Sequence, residues 1–338
     1  MPSLSSLWPR LRLFRRIATA RARFTRSEQQ IAELDIKLAA SLTRIAALEG
    51  RLERLNGVAP DRMASLEAWV ASSEASLRTR MDIFQRSLDE HERQLTVRAV
   101  MDWIEHLSPR EAPLVSVILP TRDRCDLLPR AVNSVMAQTH RNWELLIVDD
   151  ASQDGTAATI DGMTDPRIRR FAAGGGGVCA ARNVAIREAR GSLIAYLDDD
   201  NVMHPEWLKS AVWGFEQRPQ ANVLYGAFVV DDTARIDRKG RGDLPKLYYW
   251  PYDHKAVARH NIADIGCIAH RSGLPGSDFD VSLREMGDWD LFLRLTRDAP
   301  PLGLPAIACF YTTDAPNRLS HGPTFQADYD YVREKNKR

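Results

Sequence analysis

The sequence predicts an α/β domain built on a mostly parallel sheet and preceded by an α-helical, partly coiled-coil arm. Three observations predict it. Short apolar runs, "VSVIL" (115 to 119), "ELLIV" (144 to 148), "IRRF" (168 to 171) and "LIAYL" (193 to 197), have strand length. They alternate with helix-like stretches around 126 to 138, 156 to 163 and 178 to 190, the order expected of a parallel sheet with helical crossovers. Upstream, over residues 31 to 55, apolar residues recur in steps of three and four instead.

The change of pattern falls at "SPREAP". It divides the chain into a basic amphipathic segment (1–27), a helical and coiled-coil arm (28–107), a linker (108–113) and the α/β domain (114–330). The 338 residues, 44% of them hydrophobic, suffice for about two domains and a sizeable core. No apolar run approaches the roughly 18 residues needed to span a bilayer. Cys125, Cys179, Cys267 and Cys309 are far apart and form no C-x-x-C pair. That spacing suits buried, reduced thiols in a cytoplasm-like compartment, not ligands.

The net charge of +1 hides an asymmetry, because residues 1–27 hold seven arginines and no acid, leaving 1 − 7 = −6 for the rest. Leu4, Leu7, Leu11 and Phe14 fall at helical spacing there, with Arg10, Arg12, Arg15 and Arg16 between them. Three readings stay open: a helix lying on the inner face of an anionic membrane, an organellar targeting segment, and a disordered tail. A secretory signal is disfavoured, since the arginines interrupt any apolar core. The expected location is cytoplasmic, with peripheral membrane contact through 1–27 under the first reading. No nucleic-acid partner is expected.

In the arm, Ile31, Leu34, Leu38, Ser41, Ile45, Leu48, Leu52 and Leu55 form a heptad seam ended by "NGVAP". It serves equally well for a homo-oligomer or for a helix folding back on its own chain. Leu66, Val70, Leu77, Met81, Phe84, Leu88 and Leu95 then drift off a strict heptad, as expected of a helix that packs on the first one or on the globular domain. The arm contains no chemical constellation.

Chemistry gathers at the strand ends. "PTRDR", "DDASQDGT" and "DDDN" follow the first, second and fourth runs directly, and ligands of parallel sheets bind beyond the carboxyl ends of strands. In an extended segment Asp198 and Asp200 point the same way while Asp199 points elsewhere. Two such carboxylates suit a hard divalent cation. The alternative for an isolated triplet is a solvated acidic turn before a helix that starts near Pro205.

Four stretches, "VSVILPTRDR", "QTHRNWELLIVDDASQDGT", "AARNVAIREARGSLIAYLDDDN" and "GDWDLFLRL", resemble in order and spacing the successive motifs of family 2 glycosyltransferases. The resemblance runs from about residue 114 to 313 and leaves out the arm. It implies a GT-A fold, which is Rossmann-like, a nucleotide-diphosphate sugar donor with UDP-sugars favoured, Mn²⁺ or Mg²⁺, and inversion at the anomeric carbon. It places Pro120, Thr121, Arg122 and Asp150, with Asp149 as a further option, at the nucleoside. It places Asp198 and Asp199 at the donor, Asp198 and Asp200 at the metal, and the catalytic base at Asp288. The acceptor class implied is a glycan or a lipid-linked glycan, in surface polysaccharide synthesis.

Some positions depart from the family pattern. Arg122 and Asp123 stand where many members have Tyr-Asn, and Gly287 precedes Asp288 where Glu is more common. "GGGG" at 174 to 177 occupies the place of a donor-binding basic residue, which leaves Arg182 as the nearest cation. Those glycines lack the register of a dinucleotide loop and are expected to lie in a loop close to the donor. Tyr248, Tyr249, Trp250 and Tyr252 offer faces for an acceptor sugar or ordinary core packing. His321 is either a third metal ligand or structural. Two rival functions are a sugar-nucleotide pyrophosphorylase, which lacks its glycine-rich basic loop here, and a non-catalytic scaffold, against which the four acids Asp150, Asp198, Asp200 and Asp288 stand together.

Overall fold

The computed structural model describes residues 43, 47, 60–230, 246–313 and 324–337. The basic segment 1–27, His321, and the seam at 31–55 apart from Thr43 and Ala47 lie outside the described residues. Helix α1, Pro60–Ile104, runs from an N-terminal unit (Met1–Leu95) into the globular unit (Thr96–Arg338). Near its end Val97, Met101 and Ile104 are all buried in the globular core. Met101 Sδ accepts the Ile307 N–H at 3.2 Å, and Trp103 meets Trp213 edge to face with ring centres 4.7 Å apart. The compact unit therefore starts at Thr96, ahead of the boundary expected at 108, because the last turns of the helix fill part of its core.

The globular unit holds one sheet whose strands are β1 (Val115–Thr121), β2 (Trp143–Asp149), β3 (Ile168–Ala172), β4 (Leu193–Tyr196), β5 (Val202–Met203), β6 (Val223–Val230), β7 (Lys246–Tyr248), β8 (Ile268–Arg271) and β9 (Leu302–Tyr311). The helices between and after them are α2 (Leu128–Met136), α3 (Thr156–Asp161), α4 (Val178–Glu188), α5 (Trp207–Gln217), α6 (His254–Val257), α7 (Gly287–Leu295) and α8 (Phe325–Lys335). The spatial order is β3-β2-β1-β4-β8-β6-β9-β5, with β7 added to β6. Strands β1 to β4 are mutually parallel, and β8 is antiparallel to both β4 and β6, so β6 and its parallel partner β9 run with the first four. Only β5, β7 and β8 are reversed, which makes the sheet mostly parallel, as expected. After β3 the chain crosses back to place β4 on the other side of β1, and that reversal opens a crevice at the strand ends.

The continuous apolar runs are explained by burial on both faces. Val115, Val117 and Leu119 of β1 with Leu145 and Ile147 of β2 face α2 and the end of α1. Ile118, Leu146 and Val148 face α4 and α7 on the other side. Alternate side chains thus enter opposite layers, and a polar residue at any of these positions would be buried without a partner. Cys179, Cys267 and Cys309 are buried and free, and Cys125 is half-buried and free.

Candidate active site

A cavity of about 480 Å³ lies at the carboxyl ends of β1, β2 and β4. Pro120, Thr121, Arg122, Asp150, Arg182, Asp198, Asp199, Asp200 and Asp288 all line it. Residues the motifs placed far apart in sequence therefore face one space.

The loops after β1 and β2 are laced together. The Ser152 hydroxyl oxygen accepts the Asp123 N–H at 2.9 Å, and Asp123 Oδ1 accepts the Gln153 N–H at 2.6 Å. Both loops hold a non-glycine residue at positive φ, Asp123 at 53° and Ala151 at 60°. Such conformations cost about 1 to 3 kcal/mol each and persist where surrounding bonds over-determine them. Asp149 accepts both the backbone N–H and the hydroxyl of Ser152, at 3.0 and 2.5 Å, and so shapes this turn without lining the cavity. Asp150 is buried. Its Oδ2 accepts the Gly177 N–H at 2.9 Å and lies 3.8 Å from Arg122 Nη1, while its Oδ1 has no partner. Gly177 reaches it with φ of 91°, a conformation a side chain would strain. The glycine loop thus lies beside the site, with Gly176 and Gly177 in its wall.

The acidic triplet is not extended. β4 ends at Tyr196, and the Asn201 N–H bonds the Asp198 carbonyl at 3.1 Å to close a turn. Strand alternation therefore does not set the directions of Asp198 and Asp200, and all three carboxylates line the cavity because a turn fans them out. Asp198 Oδ1 accepts from Arg182 Nη2 at 2.6 Å, whereas Asp199 Oδ1 lies 3.6 Å from Arg124 Nε. Burial pushes the Asp199 carboxyl up to about 7, helped by Asp200 and Asp198 and opposed by the Thr121 hydroxyl and Arg124. Burial alone would lower the Arg182 guanidinium, but Asp198, Cys179 and Asp288 hold it above its usual range. Arg182 is thus engaged by the protein's own acids, and its Nε is buried without a partner.

Asp288 is the second residue of α7. Its Oδ1 accepts the Trp289 N–H at 2.7 Å and its Oδ2 accepts from Asn261 Nδ2 at 2.9 Å. Burial raises its pKa, against the pull of Arg182, Trp289 and Asn261, and Asp198 raises it further. Gly287 has a packing reason: a Cβ there would sit 2.6 Å from Cys179 Sγ, so the glutamate common at this position does not fit.

A second cavity of about 450 Å³ shares Asp264, Glu285, Asp288 and Tyr311 with the first. Phe228, Tyr248 and Trp250 form part of its wall. Phe228 and Tyr248 stack with centres 5.1 Å apart, and Trp250 follows 5.2 Å from Tyr248. Tyr249 and Tyr252 turn inward instead, against Tyr225 and Phe292. Of the four aromatic residues in "LYYWPYDH", two face the cavity and two pack the interior.

Sequence reasoning missed Asp264, Asn261 and Arg124. Asp264 caps a short 3-10 turn, Ile265–Cys267, accepting the Gly266 N–H at 2.9 Å. Burial raises its pKa, and so do Asp198 and Asp288. Because β8 runs antiparallel to β4, its amino end meets the carboxyl end of β4, and Asp264 arrives there from a remote part of the chain. Strand spacing does not show this; an acid just ahead of a reversed strand beside the switch point is the signal to look for.

The glycosyl transferase family 2 profile matches residues 116–271. A UDP-Glc:alpha-D-GlcNAc-diphosphoundecaprenol beta-1,3-glucosyltransferase of Escherichia coli, WfgD, is 39% identical over 58% of this chain and 74% of its own. The chain belongs to glycosyltransferase family 2. CgeD of Bacillus subtilis is 39% identical over 57% of this chain and 48% of its own. The chain spans between 20% and 66% of the length of the first curated relatives it matches. The structure of S. aureus TarS 1-349 in complex with UDP-GlcNAc superposes with a TM-score of 0.53 at 20% identity, covering 64% of each chain, and shows the same GT-A fold. No helix among the described residues is long and apolar enough to cross a membrane.

Proposed function

We propose that this glycosyltransferase is a metal-dependent, inverting enzyme that moves a sugar from a UDP-sugar to a hydroxyl of a glycan or lipid-linked acceptor in surface polysaccharide synthesis. The observation that carries the reading is the position of Asp288 in the wall shared by the two cavities. A base there reaches a hydroxyl presented from the aromatic side while the donor occupies the acidic side.

Support for the donor comes from Asp150. A buried carboxylate oxygen without a partner calls for an N–H, which the N3 position of uracil supplies and that of cytosine does not. The name of WfgD gives a UDP-Glc donor and a diphosphoundecaprenol-linked acceptor for that relative. Asp198, Asp199, Asp200, Asp264 and Asp288 crowd one cavity, and burial with mutual repulsion raises the pKa of Asp199, Asp264 and Asp288, a crowding that a divalent ion would relieve. Asp198, through the oxygen Arg182 leaves free, and Asp200 would hold it. Mn²⁺ or Mg²⁺ supplies Lewis-acid stabilisation of the leaving diphosphate.

In the step proposed, the acceptor hydroxyl gives its proton to Asp288 and its oxygen forms a bond to the anomeric carbon. The bond from that carbon to the diphosphate breaks on the opposite face, UDP carries away the electron pair, and the configuration inverts. Tyr248 and Trp250 offer aromatic faces to the acceptor sugar. Release of UDP, GDP or dTDP from a donor panel, with Mn²⁺ and with a chelator, tests the donor and the metal, and NMR of the product anomer tests inversion. Retention of configuration, or equal turnover with the chelator, would overturn the corresponding part.

A further inference from the structure

We propose that Asn261 is a positioning residue for sugar transfer, holding the Asp288 carboxylate in place from the acceptor side. This rests on reading Asp288 as the base. The geometry is specific. Asp288 Oδ2 accepts from Asn261 Nδ2 at 2.9 Å while Oδ1 accepts the Trp289 N–H at 2.7 Å. Each carboxylate oxygen is thus held by a donor from a different element, and rotation of the group is checked at both ends. The amide orientation is determined as well, since Asn261 Oδ1 accepts the Ala263 N–H at 3.2 Å and the nitrogen must then face Asp288.

The segment carrying Asn261 is anchored without it. Trp289 Nε1 donates to the Val257 carbonyl at 2.8 Å, and the Tyr329 hydroxyl donates to the Arg259 carbonyl at 2.8 Å. Asn261 itself is exposed in the wall of the second cavity, so its side chain contributes little to the core. Its distinct contribution is one hydrogen bond to an ionised acid.

The groups facing Asp288 come from several elements: Arg182 and Cys179 from α4, Asp198 from the turn after β4, Asp264 from the turn before β8, and Glu285 ahead of α7. Burial and Asp198 oppose its charge, while Arg182, the Trp289 N–H and Asn261 favour it. Removing the Asn261 donor leaves the proton bound to a higher pH. An acid in its place adds a like charge and moves the titration further in the same direction.

The test uses the full chain with Asn261→Leu, of similar size without the donor, and Asn261→Asp. Carbon-13 NMR of labelled aspartate, with Asp288→Asn to assign the signal, follows the Asp288 titration without any substrate. UDP release from UDP-glucose with Mn²⁺ is followed across pH in parallel. The expected result is an upward move of the Asp288 midpoint in Asn261→Leu and a larger one in Asn261→Asp. Turnover at neutral pH should fall by about tenfold, part of what a general base contributes, and recover as pH rises. UDP affinity should stay unchanged. An unmoved midpoint, or a loss of rate equal at every pH, would overturn the inference. Full activity in Asp288→Asn would overturn the base itself. An inactive Asp288→Asn beside an unaltered Asn261→Leu would remove Asn261 alone.

Discussion

Arg182 Nη2 and Asp198 Oδ1 are 2.6 Å apart, and this pair joins α4 to the turn that carries the acidic triplet. The guanidinium is 6% exposed and the carboxylate 28%, so the cation is held inside by acids of the protein itself. Arg182→Met should leave Asp198, Asp264 and Asp288 without their shared counter-charge. Breaking a buried pair costs about 3 to 5 kcal/mol, and the partial exposure of Asp198 places this one at the lower end. Denaturant unfolding of the metal-free protein measures it. A variant as stable as wild type would show that Arg182 acts on the donor alone.

Asp200→Asn should weaken binding of UDP with Mn²⁺ more than Asp199→Asn does. Asp199 faces Arg124, whereas the proposed metal pair is Asp198 and Asp200. Titration calorimetry reads the difference. Equal, metal-independent affinities in all three proteins would reduce the triplet to a solvated turn.

Asp199 also makes a pH prediction. Its folded-state carboxyl titrates at about 7 because it is buried, well above an ordinary carboxylate near about 4. Between those values the folded chain binds more protons than the unfolded one. Its stability therefore falls as pH rises through that window and levels off above it. With chelator present, the melting temperature of Asp199→Asn should gain on wild type from acid to neutral pH. A constant gap across the range would contradict the assignment.

Asp288→Asn should lower transfer by a factor of at least about 10² and spare UDP binding, since a base acts only as the transition state forms. A capping role would give another pattern. The residue capping α7 is Met286, which makes no side-chain cap, so little helix stability is at stake in the asparagine variant. A folded variant that still transfers at the wild-type rate would send the search for the base to Asp264 or Glu285, the other acids in the shared wall.

A chain shortened to begin at Glu111 should be far less stable than one beginning just before Thr96. The shorter one loses Val97, Met101 and Ile104 from the core, and each large apolar side chain removed costs about 2 to 5 kcal/mol. Thermal unfolding distinguishes them. Light scattering of the longer fragment against the whole chain reads whether the arm, whose α1 leaves Trp69, Met81, Ile83 and Leu95 exposed, sets the oligomeric state.

By itself the sequence determined the parallel half of the sheet and the acids at its strand ends. Strands buried on both faces must be unbroken apolar runs, as "ELLIV" is, and short polar loops must follow them at the switch point. Those signals are local, and so β1 to β4 and the positions of Asp150 and Asp198 were legible, whereas Asp288, on a helix, was reached only through the resemblance of its motif. The tertiary structure decided what depends on contacts across the chain. It turned the acidic triplet out of the strand and directed Arg182 to Asp198. It brought Asp264 in on a reversed strand, set Asn261 against Asp288, and drew the end of a 45-residue helix into the core. Each of these joins residues many positions apart, where the partner is selected by packing and charge rather than by any period that a stretch of sequence displays.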